Sequence, residues 1–190
     1  MPQPALETIA QAHQHLQSAG PFSSAANQWL QDESQLLRQR MATALGASPE
    51  SLTLTEDVTV GCNIPLWGLP WQAGDRILLS DCEHPGIFAA ARELSRRYDL
   101  AVDVFSLLRS PDDPAASLAQ ALQPRTRLVI LSHILWNTGQ LLPLKAMVYL
   151  CHSQSVPVLI DAAQSVGMLP LTLDQLGADF YAFTGHKWWC

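Results

Sequence analysis

At 190 residues the chain can bury a substantial apolar core, and 48% hydrophobic against 15% charged residues excludes a disordered polar chain. Eleven basic against 17 acidic residues give a formal net charge of −6 with no basic block, which argues against nucleic acid or an anionic membrane as a partner. The four cysteines, Cys62, Cys82, Cys151 and Cys190, show no C-x-x-C spacing, so no metal ligand set and no disulfide framework are expected. Met1-Pro2-Gln3-Pro4 has neither the basic nor the apolar stretch of a signal peptide. The longest apolar run, Leu128 to Trp136, is too short and too polar to span a bilayer. A cytoplasmic protein is expected.

Residues 1–20, rich in Ala and Gln, read as an N-terminal helical arm broken by Gly20-Pro21. Ser23 or Ser24 caps a longer helix to about Leu45, with Trp29, Leu30, Leu36, Leu37, Met41 and Leu45 roughly on one face and Gly46 as C-cap. Leu52 to Thr55 then reads as a short strand, Asp57 to Leu69 as a helix, Arg76 to Ser80 as a strand, and Ile87 to Tyr98 as a helix. Ala101 to Phe105 is a strand, Ser110 to Pro114 a proline-rich loop, and a helix follows to near Leu122. Strands at Leu128–Leu131 and Val156–Ile160 flank a helix at Leu144–Gln154, and a connector at Leu173–Gly177 leads to a last strand, Phe180–Phe183. Apolar strands alternating with amphipathic helices predict an α/β fold, a mostly parallel sheet with helices on both faces. Such sheets bind ligands at the carboxyl ends of their strands.

Five clusters lie just after apolar runs: Thr55 to Thr59, Glu83-His84-Pro85, Ser132-His133 with Trp136-Asn137, Asp161 to Gln164, and Thr184 to Lys187. An acid at one strand end can hold a pyridinium proton, and a lysine at the next can form an imine with an aldehyde. Asp161 and Lys187 are thus the two anchors that a pyridoxal phosphate (PLP) site requires. Each residue also has a plainer reading taken alone: Lys187 as a surface lysine, Asp161 as a helix cap, His84 and His133 as structural or solvated histidines, Gln164 as a polar helix residue. Asp57-Val58-Thr59 opens a helix and offers free N–H groups and a hydroxyl to a phosphate, although it lacks the glycines usual in phosphate cradles.

Together and in this order, Asp161-Ala162-Ala163-Gln164 and Thr184-Gly185-His186-Lys187 resemble the class V aminotransferase group of fold-type-I PLP enzymes. That group includes cysteine desulfurases, selenocysteine lyase, isopenicillin N epimerase and cyst(e)ine C–S lyases. The segments Thr55 to Asn63, Asp81 to Gly86 and Leu135 to Gln140 look closest to the cyanobacterial L-cysteine/cystine C–S lyase branch. The resemblance implies a three-layer, fold-type-I PLP-dependent transferase large domain over residues 21–190, truncated, with the small C-terminal domain absent. It implies that Lys187 binds the cofactor's aldehyde covalently and shuttles the substrate Cα proton, that Asp161 holds the pyridine nitrogen, and that His84 stacks on the ring. Gln164 would contact the ring oxygen, and Val58 (by its backbone), Thr59, Thr184 and His186 would hold the phosphate. The family pattern has an Asn aligned with Trp136, one step from Asn137. The implied activity is β-elimination from cysteine or cystine, giving pyruvate, ammonia and sulfide or persulfide, in a homodimer. Cysteine desulfuration, another class V reaction, or an inactive fragment are the competing expectations.

Overall fold

The computed structural model describes residues 1–109 and 112–189; Ser110 and Pro111, from the expected proline-rich loop, and Cys190 lie outside the described residues. Helix α1, Gln3–Ala19, ends at Gly20, whose φ of 81° suits only glycine comfortably. Helix α2, Ser24–Leu45, begins at Ser23, whose side chain accepts the Ala26 N–H, and stops at Gly46 in the left-handed conformation. The expected apolar face of α2 is only partly covered. Ala26, Ala42 and Leu45 are buried, while Leu30, Leu36 and Leu37 stay exposed.

The strand expected at 52–55 is absent. A 3-10 turn, Pro49–Ser51, precedes this stretch, and no strand among the described residues pairs with it, so it runs on without a ladder. The rest alternates as expected: α3 Val58–Gly68, β1 Arg76–Ser80, α4 Pro85–Tyr98, β2 Ala101–Phe105, α5 Pro114–Ala121, β3 Thr126–Ser132, α6 Leu144–Ser153, β4 Val158–Asp161, α7 Leu173–Leu176 and β5 Phe180–Ala182. Asp161 is the last residue of β4 rather than the first beyond it. Val156 and Pro157 fall outside β4. Pro157 has no N–H for the ladder, although its carbonyl accepts the Val129 N–H.

The strands form one parallel sheet in the order β2-β1-β3-β4-β5. The step from β1 to β2 runs one way across the sheet; the steps from β2 to β3 and from β3 to β4 run the other. Right-handed crossovers then put α4 on one face and α5 and α6 on the other. The packing agrees. Ile77, Leu79, Leu128, Ile130 and Leu159 meet Cys62 and Leu66 of α3 and Ile87, Ala91 and Leu94 of α4. Leu78, Val129, Leu131, Val158 and Ile160 meet Leu118 of α5 and Met147, Val148 and Cys151 of α6. Each such Leu, Ile or Val contributes about 1.5–3 kcal/mol by leaving water, which is ample to hold three layers together.

Helix α3 lies close against β5. A Cβ on Gly61 would sit 3.2 Å from the Ala182 Cβ, so glycine lets the helix approach and brings its N-terminus to the carboxyl edge of the sheet. Among the described residues, no helix is long and apolar enough to cross a membrane.

Candidate active site

Three strand ends carry polar side chains: Ser80 closes β1, Ser132 closes β3 and Asp161 closes β4. Ser132 and Asp161 are register partners in the β3–β4 ladder. The chain leaves β1 toward β2 and returns to β3 on its far side, so the ends of β1 and β3 flank the point where the strand order reverses, with the end of β4 next to β3. In open α/β sheets the crevice opens at that point.

A cavity lies there. Val58 and Thr59 of α3, His84 before α4, Ser132 and Trp136 from β3 and the loop after it, Asp161, Gln164 and Lys187 all line it. Six of the residues singled out in the sequence, Val58, Thr59, His84, Asp161, Gln164 and Lys187, therefore share one wall system. Thr184 and His186 do not join them. Thr184 is buried, its Oγ1 lies 2.5 Å from His186 Nδ1, and it lines a larger cleft between the 52–57 segment and β5. His186 faces a third cleft beside Arg40. The larger cleft holds neither Asp161 nor Lys187, so chemistry rather than size marks the site.

Asp161 is 8% exposed, and its Oδ1 accepts the Ala163 N–H at 3.0 Å. Burial raises its carboxyl above the ordinary range, while the Ala163 N–H and the charges of His84 and Lys187 pull it back. Among the described residues it belongs to no ion pair. A buried acid in that state is a good receptor for a cationic N–H.

His84 is the N-cap of α4, and its Nδ1 accepts the Gly86 N–H at 3.1 Å. Its ring meets Trp136 edge-on with centroids 5.9 Å apart. Trp136 lines the cavity and Asn137 does not, so the tryptophan occupies the wall at this register. Asp57 caps α3 by accepting the Val60 N–H, which leaves the N–H groups of Val58 and Thr59 outside the helix's own ladder. Those donors and the positive end of the helix macrodipole suit an anion.

Lys187 is exposed on the turn after β5. The Trp189 N–H donates to the Gly185 carbonyl at 3.0 Å, and Trp189 packs edge-on against Phe183. Gly167 (φ 88°) sits under this turn, where an added Cβ would lie 2.7 Å from Trp188 Cβ. Gly167→Ala is therefore expected to cost about 1–3 kcal/mol in denaturant unfolding, from left-handed strain plus the clash. A variant as stable as the parent would show that the turn yields freely.

The sequence reading gave Glu83 and Ser132 no role, yet they join the site. Glu83 is 3% exposed; its Oε1 accepts from Ser80 Oγ at 2.6 Å and Ser132 N–H at 3.1 Å, and its Oε2 from Ser132 Oγ at 2.6 Å. Period-two alternation from Leu128 and Ile130 already puts Ser132 on the cavity face. His133 faces the other way. It is buried, with Nδ1 2.7 Å from the Tyr181 hydroxyl, which also contacts Ser165 Oγ at 2.9 Å.

These buried groups give a pH prediction. Burial pushes the Glu83 carboxyl from 4.5 up to about 7, against the pull of its serine hydrogen bonds. Between those values the folded chain keeps a proton that the unfolded chain has lost. Its contribution is thus full below pH 4.5 and is lost as pH rises through 7, a span of roughly 3 kcal/mol. Burial pushes His133 down from 6.5 to about 4, so its contribution is full above pH 6.5 and is lost as pH falls toward 4. From pH 4.5 to 6.5 the two slopes oppose each other. Urea unfolding of Glu83→Gln over that window is expected to show stability rising more steeply with pH than in the parent. An unchanged slope would contradict a buried, titrating Glu83.

The family model described as Aminotransferase class-V matches residues 1–190. The chain is 34% identical over 154 residues to isopenicillin N epimerase of Streptomyces clavuligerus, covering 80% of this chain and 39% of that protein. It is 28% identical over 183 residues to a cysteine desulfurase of Pectobacterium carotovorum, covering 92% of this chain and 45% of that one. Among solved structures, it resembles the cystine C–S lyase C-DES in complex with its reaction product cysteine persulfide: TM-score 0.97, 48% identity, 100% of this chain and 51% of that chain. A C-DES mutant with glycine covalently linked to its PLP cofactor is similar at TM-score 0.97 and 47% identity, with the same coverage. The chain spans about half the length, or less, of these relatives.

Proposed function

Because this chain belongs to the aminotransferase class-V family and has the three-layer large-domain fold of fold-type-I PLP-dependent enzymes, we propose that it carries the cofactor site of a C–S lyase acting on cysteine or cystine. One observation carries this reading: Asp161, Lys187, His84, Gln164 and the opening of α3 converge on a single cavity at the carboxyl edge of the sheet. The likeness to a cystine C–S lyase along the whole chain supports it.

PLP fits the donor set. Asp161, buried and in no ion pair among the described residues, would take the pyridine N–H. Val58 N–H, Thr59 and the macrodipole of α3 would hold the phosphate. His84 would lie on the ring, Gln164 would donate to the ring oxygen, and Lys187 would hold the aldehyde carbon. Thr184 and His186 hydrogen-bond each other, and either the Thr184 O–H or the His186 Nε2–H would remain free to donate to the phosphate. When bound, the cofactor supplies the electron sink for the pair left at the substrate Cα. Lys187 Nζ takes the Cα proton and can return one to the departing sulfur. The His84 and Trp136 rings line one side of the cavity. With one water consumed, cystine gives pyruvate, ammonia and cysteine persulfide, and cysteine gives pyruvate, ammonia and sulfide.

A desulfurase needs an accessible thiolate to accept sulfur. Cys62, Cys82 and Cys151 are all buried, and burial raises each thiol, that of Cys151 to about 12. No described cysteine suits that role. Assaying the full-length protein on L-cystine decides the matter. Pyruvate matched by persulfide is the expected result; alanine would establish desulfuration, and D-amino acid an epimerase.

The same reading makes residues 1–20 an arm, since α1 buries none of its residues, and residues 21–190 the cofactor-binding body. A homodimer in the cytoplasm completes it. Three buried free thiols suit a reducing compartment, and light scattering tests the assembly.

A further inference from the structure

Resting on the PLP reading above, we propose that Glu83 is a positioning residue: its buried carboxyl clamps two strand ends so that His84, Trp136 and Asp161 keep their poses around the cofactor. Three connections lead there. Its carboxyl takes hydrogen bonds from Ser80 at the end of β1 and from both the N–H and the hydroxyl of Ser132 at the end of β3. Ser132 is in turn the register partner of Asp161. The Glu83 carbonyl accepts the Trp136 indole N–H at 3.3 Å, and its peptide bond leads directly to His84. His84 and Trp136 are largely exposed rings that touch each other edge-on, so Glu83 is an anchor common to both.

A buried carboxyl is a costly strut. Leu or Met would fill the space without a desolvation penalty, but neither could accept from two strands at once. A hydrogen-bonded acid with its acceptors satisfied fixes one geometry where an apolar side chain permits several. A ring misplaced by an ångström loses much of its contact with a flat cofactor.

The test uses Glu83→Ala and Glu83→Gln in the full-length protein. It reads PLP affinity of the cofactor-free form and the visible circular dichroism of bound PLP, neither of which needs turnover. Gln keeps the clamp, because its amide oxygen can accept the Ser132 N–H while its NH2 donates to a serine hydroxyl. The expected result is roughly tenfold weaker PLP binding with an altered dichroic band for Ala, and binding within about twofold of the parent for Gln. An Ala variant with parental affinity and dichroism overturns the inference. A Gln variant as impaired as Ala also overturns it, since charge and not anchoring would then be at work. Should the Ala variant fail to fold, Ser80→Ala removes the Ser80 Oγ to Glu83 Oε1 bond, together with the Cys82 N–H to Ser80 Oγ bond, at a residue that does not line the cavity. It is expected to weaken PLP binding about threefold, and parental binding there would refute the clamp. A parent protein that binds no PLP defeats the cofactor reading itself, and this inference with it.

Discussion

Lys187→Ala in the full-length protein is expected to reduce C–S cleavage by at least roughly 10⁴-fold and to abolish borohydride-fixable cofactor absorbance. The same substitution should leave unfolding within about 0.5 kcal/mol of the parent, because the side chain is exposed and in no ion pair among the described residues. The effect is large because one amine carries two duties, holding the aldehyde and moving the Cα proton. No described lysine replaces it: Lys145 lies on α6, on the opposite face of the sheet from the cavity. Spectra before and after borohydride, with peptide mapping, check this. An imine band that survives in the variant would remove Lys187 from the site.

Asp161→Asn is expected to weaken PLP binding by about 10- to 100-fold and to reduce turnover further, because a charge-assisted hydrogen bond to the pyridinium is worth about 1.5–3 kcal/mol. Asn keeps the acceptor for the Ala163 N–H, so the loss isolates the charge. Stability should move the other way. Burial raises the Asp161 carboxyl, so its contribution is present below its unfolded value of 3.8 and is lost as pH rises above it. At neutral pH the cofactor-free Asn variant should therefore be at least as stable as the parent, while the parent gains more on adding PLP. Thermal melts with and without PLP give both quantities. Equal cofactor stabilisation in the two proteins would reduce Asp161 to a turn-forming residue.

The contrast between these two residues shows how the site was legible. Asp161 and Lys187 stood out in the sequence because Asp161 directly follows one apolar run and Lys187 ends the short cluster after the next, and apolar runs in an α/β chain are strands whose carboxyl ends face ligands. Glu83 also follows an apolar run, but its role as a tie depends on Ser80 and Ser132, 49 residues away in the latter case, and no local stretch shows that pairing. Thr184 and His186 hydrogen-bond each other two residues apart on the turn, a local pairing that their place in the motif did not announce. The Leu52–Thr55 alternation is strand-like, yet a strand exists only when a partner takes its backbone hydrogen bonds.

By itself, the sequence determined the alternation of strands and helices, the cap at Gly46, the two-faced burial of β1, β3 and β4, and the placing of Asp161 and Lys187 at neighbouring strand ends. These depend on periodicity and local backbone chemistry, which act over a few residues. Only the tertiary structure decided that the order β2-β1-β3-β4-β5 brings Val58, His84, Asp161 and Lys187 to one cavity, that Trp136 rather than Asn137 faces it, and that Glu83 ties its walls together. Those outcomes depend on which strand lies beside which. Strand neighbours are chosen by crossover handedness and by burial of both sheet faces, and no local stretch of residues encodes that choice.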